Sequence, residues 1–372
     1  MKNNKRFSVH YSLLAKSLKE AKEKAWNICI EQTIEFPYAL VKQEYIKHTV
    51  VGKIENLKII KTGKFLADIS YDEKTTGFEF TQFLNVLFGN SSLKPGIRVE
   101  KIILSTDLQK LFKGPRFGAA GLRKLTGAYN RPLICSALKP MGLSSNALAV
   151  LAYKFALGGV DIIKDDHGLA NQSWAPFKER VVKCAAAVKK ANKETISNTL
   201  YAPNITSDFK NILSRARFAK KAGAGALVLS PGLSGFDIVR ELANDNTIKL
   251  PLLLHPAFLG GFTSSPDSGI SHAALYGQLA RLAGADISIF PNFGGRFSFS
   301  KAECKSITEG CKIKMGTIKN NLPGPGGGMS LDTIKTMKQF YGNNVIFLIG
   351  GGLFADGTDI TSSVKKFKRL VI

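Results

Sequence analysis

The chain lacks the features of membrane-inserted, secreted and disulfide-bonded proteins. It has no apolar run of roughly 18 residues or more, the length that a transmembrane helix needs. The N-terminal stretch MKNNKRFSVHYSLLAKSLKEAKEK begins basic but has no apolar core or small-residue cleavage site of a secretory signal. The five cysteines form no Cys-x-x-Cys pair, which argues against a disulfide framework or a structural zinc site. We therefore expect a cytoplasmic protein without a membrane partner.

Acidic residues are also scarce, since 28 Asp and Glu face 52 Lys and Arg and leave a net charge of +24. A basic nucleic-acid-binding or regulatory protein is one interpretation. The lysines are spread along the chain, however, without a basic tail or a basic stripe interleaved with aromatic residues. We expect a solvated, lysine-rich surface and no nucleic-acid partner, and the positive field would help to attract an anionic substrate such as a sugar phosphate.

The pattern of the sequence predicts two domains. Residues 1–128 predict an N-terminal α+β domain of ferredoxin-like type, a small mixed sheet with helices on one face. Apolar spacing indicates a helix over 12–30, and β-type segments occupy 46–71. A second helix is expected in TTGFEFTQFLNVLFGN, and a further strand in RVEKIILSTDL.

From residue 129 to residue 372 the pattern becomes a repeat of short apolar runs, each followed by a loop and a helical stretch. Eight such units in about 240 residues match a (β/α)8 barrel in number and length, whereas a doubly wound sheet is the competing architecture. The eight runs are LICSAL (133–138), VDIIK (160–164), ISNTLYA (196–202), ALVLS (226–230), PLLLH (251–255), DISIF (286–290), TIKNNL (317–322) and VIFLI (345–349).

In such a barrel the active site lies at the C-terminal ends of the strands. Polar, ionisable and glycine residues follow the predicted strands at these ends. They are Lys139, then Lys164, Asp165, Asp166 and His167, then Asn204, His255, the segment 292–296, and the triplets Gly326, Gly327, Gly328 and Gly350, Gly351, Gly352.

The most informative group is GGVDIIKDDHG (158–168). Lys164 and Asp166 lie two residues apart at a strand end, so both side chains point the same way. Burial lowers the pKa of a lysine, and a neutral amine can react with CO2 to give a carbamate. A carbamate and a carboxylate together suit a hard cation such as Mg²⁺. A structural ion pair between Lys164 and Asp166 is the alternative.

Three further interpretations depend on position along the barrel. The triplets starting at Gly326 and Gly350 follow strands seven and eight, where barrels bind phosphate through backbone N–H groups. Lys139 can act as a general base or polarise a carbonyl, or else neutralise a phosphate. His255 is an acid–base group or phosphate contact, unless it is a satisfied core histidine.

Several motifs together resemble RuBisCO, and more closely the shorter RuBisCO-like (form IV) proteins. The resemblance covers most of the chain. Its motifs are NRPLICSALKPMGLS (130–144), GGVDIIKDDH (158–167), EQT (31–33), LFGN (87–90), GGGM (326–329) and IGGG (349–352). The resemblance implies that Glu31 and Asn90 contribute to the neighbouring subunit's site, so that the protein is a homodimer or a dimer-based oligomer.

The sequence departs from the RuBisCO pattern at four places. No second lysine follows Lys139-Pro140, where Met141 stands, and the lysine loop after strand six is replaced by FPNFGGRFSFS (290–300). Pro256 stands in place of an arginine, and His167 replaces the third metal-ligand glutamate. We therefore expect no CO2 fixation.

The resemblance implies an enolising enzyme that acts on a phosphorylated keto-sugar. SALKPMGLS and KDDHG are similar to the branch that includes 5-methylthioribulose-1-phosphate isomerases of sulfur salvage. A decarboxylase of a phosphorylated 3-oxo branched-sugar acid, of the 3-oxo-isoapionate 4-phosphate type, is the alternative. The diketo-methylthiopentyl-phosphate enolase is disfavoured, because that branch has a lysine where Asn90 stands. The implied catalytic residues are Lys139, Lys164, His167, Asn90, Glu31 and His255; the substrate or phosphate ligands are Asn204, Gly326, Gly327, Gly328, Gly350 and Gly351; the Mg²⁺ ligands are carbamylated Lys164, Asp166 and His167.

Overall fold

The computed structural model describes residues 5–297, 299–354, 357 and 359–372. The chain divides into two compact units, each formed by several segments. The first comprises Met1–Lys113, Leu259–Leu279 and Ile313–Ile318; the second comprises Gly114–Phe258, Ala280–Lys312 and Lys319–Ile372. The boundary after residue 128 stays a prediction.

Strands and helices alternate along the described residues. The strands are β1 (Arg6–Leu14), β2 (Lys53–Lys61), β3 (Lys64–Asp72), β4 (Ile97–Ile103), β5 (Leu133–Leu138), β6 (Ile162–Asp165), β7 (Leu200–Ala202), β8 (Leu227–Leu229), β9 (Leu252–Leu254), β10 (Gly269–Ile270), β11 (Ile287–Pro291), β12 (Leu322–Gly326) and β13 (Ile346–Ile349). The α-helices are α1 (Leu18–Glu31), α2 (Phe80–Phe88), α3 (Thr106–Leu111), α4 (Gly118–Thr126), α5 (Ser145–Gly158), α6 (Phe177–Thr195), α7 (Phe209–Lys221), α8 (Pro231–Ser234), α9 (Phe236–Asn244), α10 (Gly260–Thr263), α11 (Ala280–Ala283), α12 (Lys301–Lys312), α13 (Ile334–Tyr341) and α14 (Ile360–Val371). Short 3-10 turns occupy Tyr38–Leu40, Glu73–Thr76, Asn90–Leu93 and Gly351–Leu353, and π-helical turns occupy Ile46–Val50 and Ala273–Leu279.

The first unit contains a five-stranded mixed sheet in the order β10-β4-β1-β3-β2. Its central strand β1 pairs antiparallel with both β3 and β4 and was not predicted. Phe7, Val9, Tyr11 and Leu13 are all buried, and their alternation has the period of a strand. The strand ends at Leu14, before α1 begins at Leu18. The predicted α+β character of this unit is confirmed.

Helix α1 begins later than the sequence predicted, at Leu18 instead of residue 12. The Ser17 side chain accepts a hydrogen bond from the N–H of Glu20 and so caps the first turn. Ala21, Ala25 and Ile28 are buried on one face, which is the helical spacing that the sequence showed.

The second unit contains the eight-stranded parallel sheet, in the order β7-β6-β5-β13-β12-β11-β9-β8. A parallel bridge between Asn204 and Val228 joins the two end strands and closes the sheet into a barrel. Branched and small apolar side chains fill the interior, among them Ile162, Leu253 and Ile287. The predicted (β/α)8 barrel is confirmed, and the polar groups at the strand ends therefore face one mouth.

The seventh barrel strand lies later in the chain than predicted, at Leu322–Gly326 instead of 317–322. Its sequence LPGPG contains two prolines, which lack a backbone N–H and usually indicate a loop. The strand nevertheless pairs with β11 along its whole length, and with β13 only at Gly326 and Leu348. Gly326 consequently ends the strand, and Gly327 begins the loop.

Among the described residues, no helix has both the length and the apolarity needed to cross a membrane.

Candidate active site

Strand β6 places two acidic side chains in different surroundings at its C-terminal end. Asp165 is fully buried and accepts hydrogen bonds from Arg180 Nε (3.0 Å), Tyr201 Oη (2.8 Å) and the backbone N–H of Asn204 (3.0 Å). Arg180 is also fully buried, on helix α6. This carboxylate therefore ties β6 to α6 and to the end of β7. Sequence reasoning gave Asp165 no role, and the distant Arg180 and Tyr201 offered no local signal.

Asp166 lies next in the chain and forms the centre of a polar cluster. Its Oδ1 lies 3.0 Å from Lys139 Nζ and 3.4 Å from His167 Nδ1. Burial alone would raise the pKa of Asp166, but hydrogen bonds from His167 and Lys139 and the charge of Lys164 hold it well below its usual range. The carboxylate is therefore ionised at neutral pH. The alternative ion pair of Asp166 with Lys164 is wrong, because within the described residues its lysine partner is Lys139.

Lys164 is almost completely buried, and its Nζ donates a hydrogen bond to the carbonyl oxygen of Asp165 at 2.9 Å. Burial lowers the pKa of this amine, although the nearby Cys135 and Asp166 act in the opposite direction. Lys139 is more open, with 40% of its side chain exposed. The mouth thus presents one accessible ammonium group and, beneath it, one amine that is more easily deprotonated.

His167 and His255 are stacked, with ring centroids 4.1 Å apart and planes inclined by 7°. His255 Nδ1 accepts the backbone N–H of Ala257 at 3.2 Å, so the neutral ring carries its proton on Nε2. Burial, together with the positive Lys164 and the adjacent His167, lowers the pKa of His255 to about 2. His255 is therefore a neutral hydrogen-bond donor, and His167 contacts Asp166.

Asn204 is buried and holds the loop that carries the cluster. Its side-chain N–H groups donate to the carbonyl oxygens of His167 (2.9 Å) and Leu169 (3.0 Å). Its Oδ1 accepts the backbone N–H of Thr206 at 3.1 Å. The contacts give this residue a positioning role in the described structure; its predicted contact with substrate stays a prediction.

The two glycine-rich loops approach each other at the mouth. Gly327 and Gly328 have φ values of +91° and +66°, a conformation that favours glycine. A Cβ on Gly352 would overlap the carbonyl oxygen of Met329, so the loops after strands seven and eight are in direct contact. Gly327, Gly350 and Gly351 have open space where a side chain would begin. The loops thus leave room at the position where barrels of this kind bind phosphate, and a phosphate site here stays a prediction.

The first unit brings Glu31 and Asn90 together, whereas their contribution to a neighbouring subunit's site stays a prediction. Asn90 Nδ2 donates to Glu31 Oε1 at 3.3 Å, and Lys94 Nζ lies 2.7 Å from Glu31 Oε2. The hydrogen bond from Lys94, and then the one from Asn90, lower the pKa of Glu31. Sequence reasoning missed Lys94, although its place four residues after Asn90 was a local signal.

Comparison with known proteins agrees with the fold. Residues 118–294 match the catalytic domain of the ribulose bisphosphate carboxylase large chain. The chain is 37% identical to the 5-methylthioribulose-1-phosphate isomerase of Rhodospirillum rubrum, over 92% of this chain and 90% of that protein. It is 32% identical to the 2,3-diketo-5-methylthiopentyl-1-phosphate enolase of Bacillus pumilus, over 95% of this chain and 88% of that protein.

A solved structure extends the comparison to three dimensions. The Rubisco-like protein from Rhodopseudomonas palustris superposes with a TM-score of 0.87 and 35% identity, covering 99% of this chain and 98% of that one. The fold and the site define an α/β-barrel protein of the RuBisCO superfamily. Within it, the chain belongs to the RuBisCO-like proteins, a family whose named members include isomerase and enolase enzymes.

Proposed function

We propose that the protein is an enolising isomerase that converts 5-methylthioribulose 1-phosphate by moving protons between C1 and C3, in sulfur salvage. The observation that supports this most directly is the cluster of Lys139, Asp166 and His167, with His255 stacked on it, at the barrel mouth. The similarity to an isomerase of this name over most of both chains supports the substrate.

Each step of such a reaction removes a proton beside a carbonyl group and places negative charge on oxygen. His167 is the proposed proton carrier, because it contacts the ionised Asp166 and 41% of its side chain is exposed. Lys139 and the Nε2–H of His255 are the proposed donors to the developing enediolate oxygens. The lowered pKa of Lys164 makes it a second candidate base.

The substrate phosphate is proposed to bind the loops of Gly326–Gly328 and Gly350–Gly351. Open space at Gly327, Gly350 and Gly351 supports this, since a phosphate can approach backbone N–H groups closely there. The sugar chain would then extend from these loops towards the polar cluster.

The residues at the end of β6 fit a divalent cation if Lys164 is carbamylated. The neutral amine that carbamylation needs is favoured by burial, and Asp166 supplies an ionised carboxylate. Without the carbamate, the described residues contain no group of three His, Cys, Asp or Glu placed to hold a metal. We propose Mg²⁺ held by carbamylated Lys164 and Asp166, with His167 as third ligand or as nearby acid–base group. A bound cation would stabilise enediolate charge.

The metal proposal is tested separately from the isomerase. Exhaustive EDTA treatment should lower activity, added Mg²⁺ should restore it, and a carbonyl carbon bonded to Lys164 should appear in ¹³C NMR after labelling with ¹³CO2. Full activity in EDTA would remove the metal from the proposal and leave the proton-transfer roles in place.

We also propose a homodimer in which Glu31 and Asn90 of one protomer complete the site of its partner. The support is their juxtaposition with Lys94 in a polar cluster of the first unit. Light scattering combined with assays across dilution tests this, and an active monomer would contradict it.

The isomerase itself is tested by incubation with 5-methylthioribulose 1-phosphate in D2O, followed by NMR. We expect deuterium exchange and a new phosphorylated product. Parallel reactions with a 3-oxo branched-sugar acid phosphate and with the diketo-methylthiopentyl phosphate test decarboxylation and enolisation. Ribulose 1,5-bisphosphate with labelled CO2 should give no phosphoglycerate. The absence of both exchange and product with the thioether sugar would overturn the proposal, and absence with every substrate would favour a basic binding protein.

A further inference from the structure

The loop after β5 carries an exposed apolar side chain directly beside the charged cluster. Met141 follows Lys139 by two residues, and 48% of it is exposed. Its methyl carbon lies against Gly168 so closely that a Cβ added at position 168 would overlap it. The same Cβ position is 3.6 Å from Asp166 Oδ2. The thioether end of Met141 therefore borders the carboxylate at the centre of the proposed site.

We propose that Met141 is the specificity-determining residue that receives the apolar terminus of the substrate, and that it favours a thioether over a smaller or hydroxylated end. This inference rests on the proposed function, because the substrate proposed there carries a methylthio group. A flexible, polarisable thioether adapts to an apolar partner and offers a hydroxyl group only a weak hydrogen-bond acceptor. A hydroxyl group at that end would lie against the Met141 thioether and lose hydrogen bonds to water.

Gly168 leaves the space that the Met141 side chain needs. Because it has no side chain, the end of Met141 can lie between the loop after β5 and the loop after β6. An alanine at 168 would push the thioether away from the carboxylate. We therefore expect Gly168→Ala to alter selectivity in the same direction as a change at Met141.

The test uses two ligands that cannot react, since they lack the carbonyl group: 5-methylthioribitol 1-phosphate and 5-deoxyribitol 1-phosphate. Titration calorimetry of the full chain should give a preference of about tenfold for the methylthio ligand, the size expected for burying two more apolar atoms. Met141→Gln should abolish the preference, and Met141→Leu should retain most of it. Val150→Gln, on the exposed face of α5, is the matched control and should leave it unchanged.

Equal affinity of the wild-type protein for both ligands, or an unchanged preference in Met141→Gln, would overturn the inference. Failure to bind either ligand would overturn it as well. Because binding is measured without turnover, a preference that depends on Met141 would support the inference even if 5-methylthioribulose 1-phosphate were not converted. That combination would overturn only the proposed function.

Discussion

The two ends of the barrel use buried carboxylates in opposite ways. Asp161 and Asp286 immediately precede β6 and β11, at the end away from the mouth. Asp161 accepts two hydrogen bonds of 2.7 Å from the Arg131 guanidinium and one of 2.8 Å from the backbone N–H of Ile134. Asp286 accepts three backbone N–H groups, from Phe117, Gly118 and Leu252. Both carboxylates are saturated with donors.

At the mouth, Asp166 contacts side chains that are partly open to solvent. Lys139 and His167 share one of its oxygens, while Lys164 lies buried close by. The partly exposed Lys139 can attract an anion at the mouth. At the other end, the donors to Asp161 and Asp286 are already engaged within the fold. The comparison teaches that a carboxylate stabilises the fold when its donors are backbone groups or largely buried side chains, as for Asp161, Asp165 and Asp286. A carboxylate can serve the site when its donors are exposed side chains, as for Asp166.

The largest expected effect comes from removing the buried amine at the mouth. Lys164→Ala should lower kcat for the proposed isomerisation by about 1000-fold, because a candidate base and metal ligand is lost. Steady-state kinetics measure this, with Lys189→Ala on the exposed face of α6 as control. A fully active Lys164→Ala variant would remove the whole site from the mechanism.

The next largest effect is on stability, at the opposite end. Asp161→Ala leaves Arg131 partly buried without its partner and the N–H of Ile134 without an acceptor. We expect the free energy of unfolding to fall by about 3–5 kcal/mol, with kcat at a permissive temperature nearly unchanged. Urea denaturation gives the first quantity and kinetics the second. A large loss of kcat without a loss of stability would show that the end away from the mouth also contributes to catalysis.

A smaller effect is expected at the glycine loops. Gly327→Asp would place a carboxylate at the proposed phosphate position and should weaken substrate binding by about 10- to 100-fold. Gly342→Asp is the matched control, because Gly342 also has a positive φ (+71°) and open space around it. KM values and phosphate inhibition constants distinguish the variants. Equal effects in both would indicate backbone strain instead of a phosphate site.

The smallest effect concerns pH. Burial raises the pKa of Asp286 to about 6, above the value of about 4 in an unfolded chain, despite its three backbone donors. Between these values the folded state binds more protons than the unfolded state, so this group's contribution to stability falls as pH rises from about 4 to 6. Comparison of urea denaturation for wild type and Asp286→Asn across that window isolates the contribution. A difference that is flat with pH would contradict the raised pKa.

The barrel could be predicted because most of its strands are short apolar runs, and polar or glycine residues follow these runs at the C-terminal end. The run VDIIK predicted both β6 and the place of Lys164. The position of β12 was predicted wrongly because LPGPG carries no apolar run. Strand β1 was not predicted because its last residues also fit the spacing of the following helix.

The contacts within the site could not be predicted in the same way. The partner of Asp166 proved to be Lys139, from a different strand, and not the lysine two residues before it. The stacking of His167 on His255 joins residues far apart in sequence. Spacing along one strand gives the direction of a side chain, whereas the distance to a neighbouring strand's side chain depends on packing that no local pattern records.

Asn204 has a mechanical consequence for the molecule. Asn204 forms the bridge to Val228 that closes the barrel. Its side chain also donates a hydrogen bond to the carbonyl oxygen of His167, in the loop that bears Asp166 and His167. We expect local opening at this bridge to disturb the proposed catalytic residues before the rest of the barrel unfolds. On heating, activity should be lost some degrees below the melting temperature of the fold. The loss of activity would therefore report local opening at the Asn204–Val228 bridge.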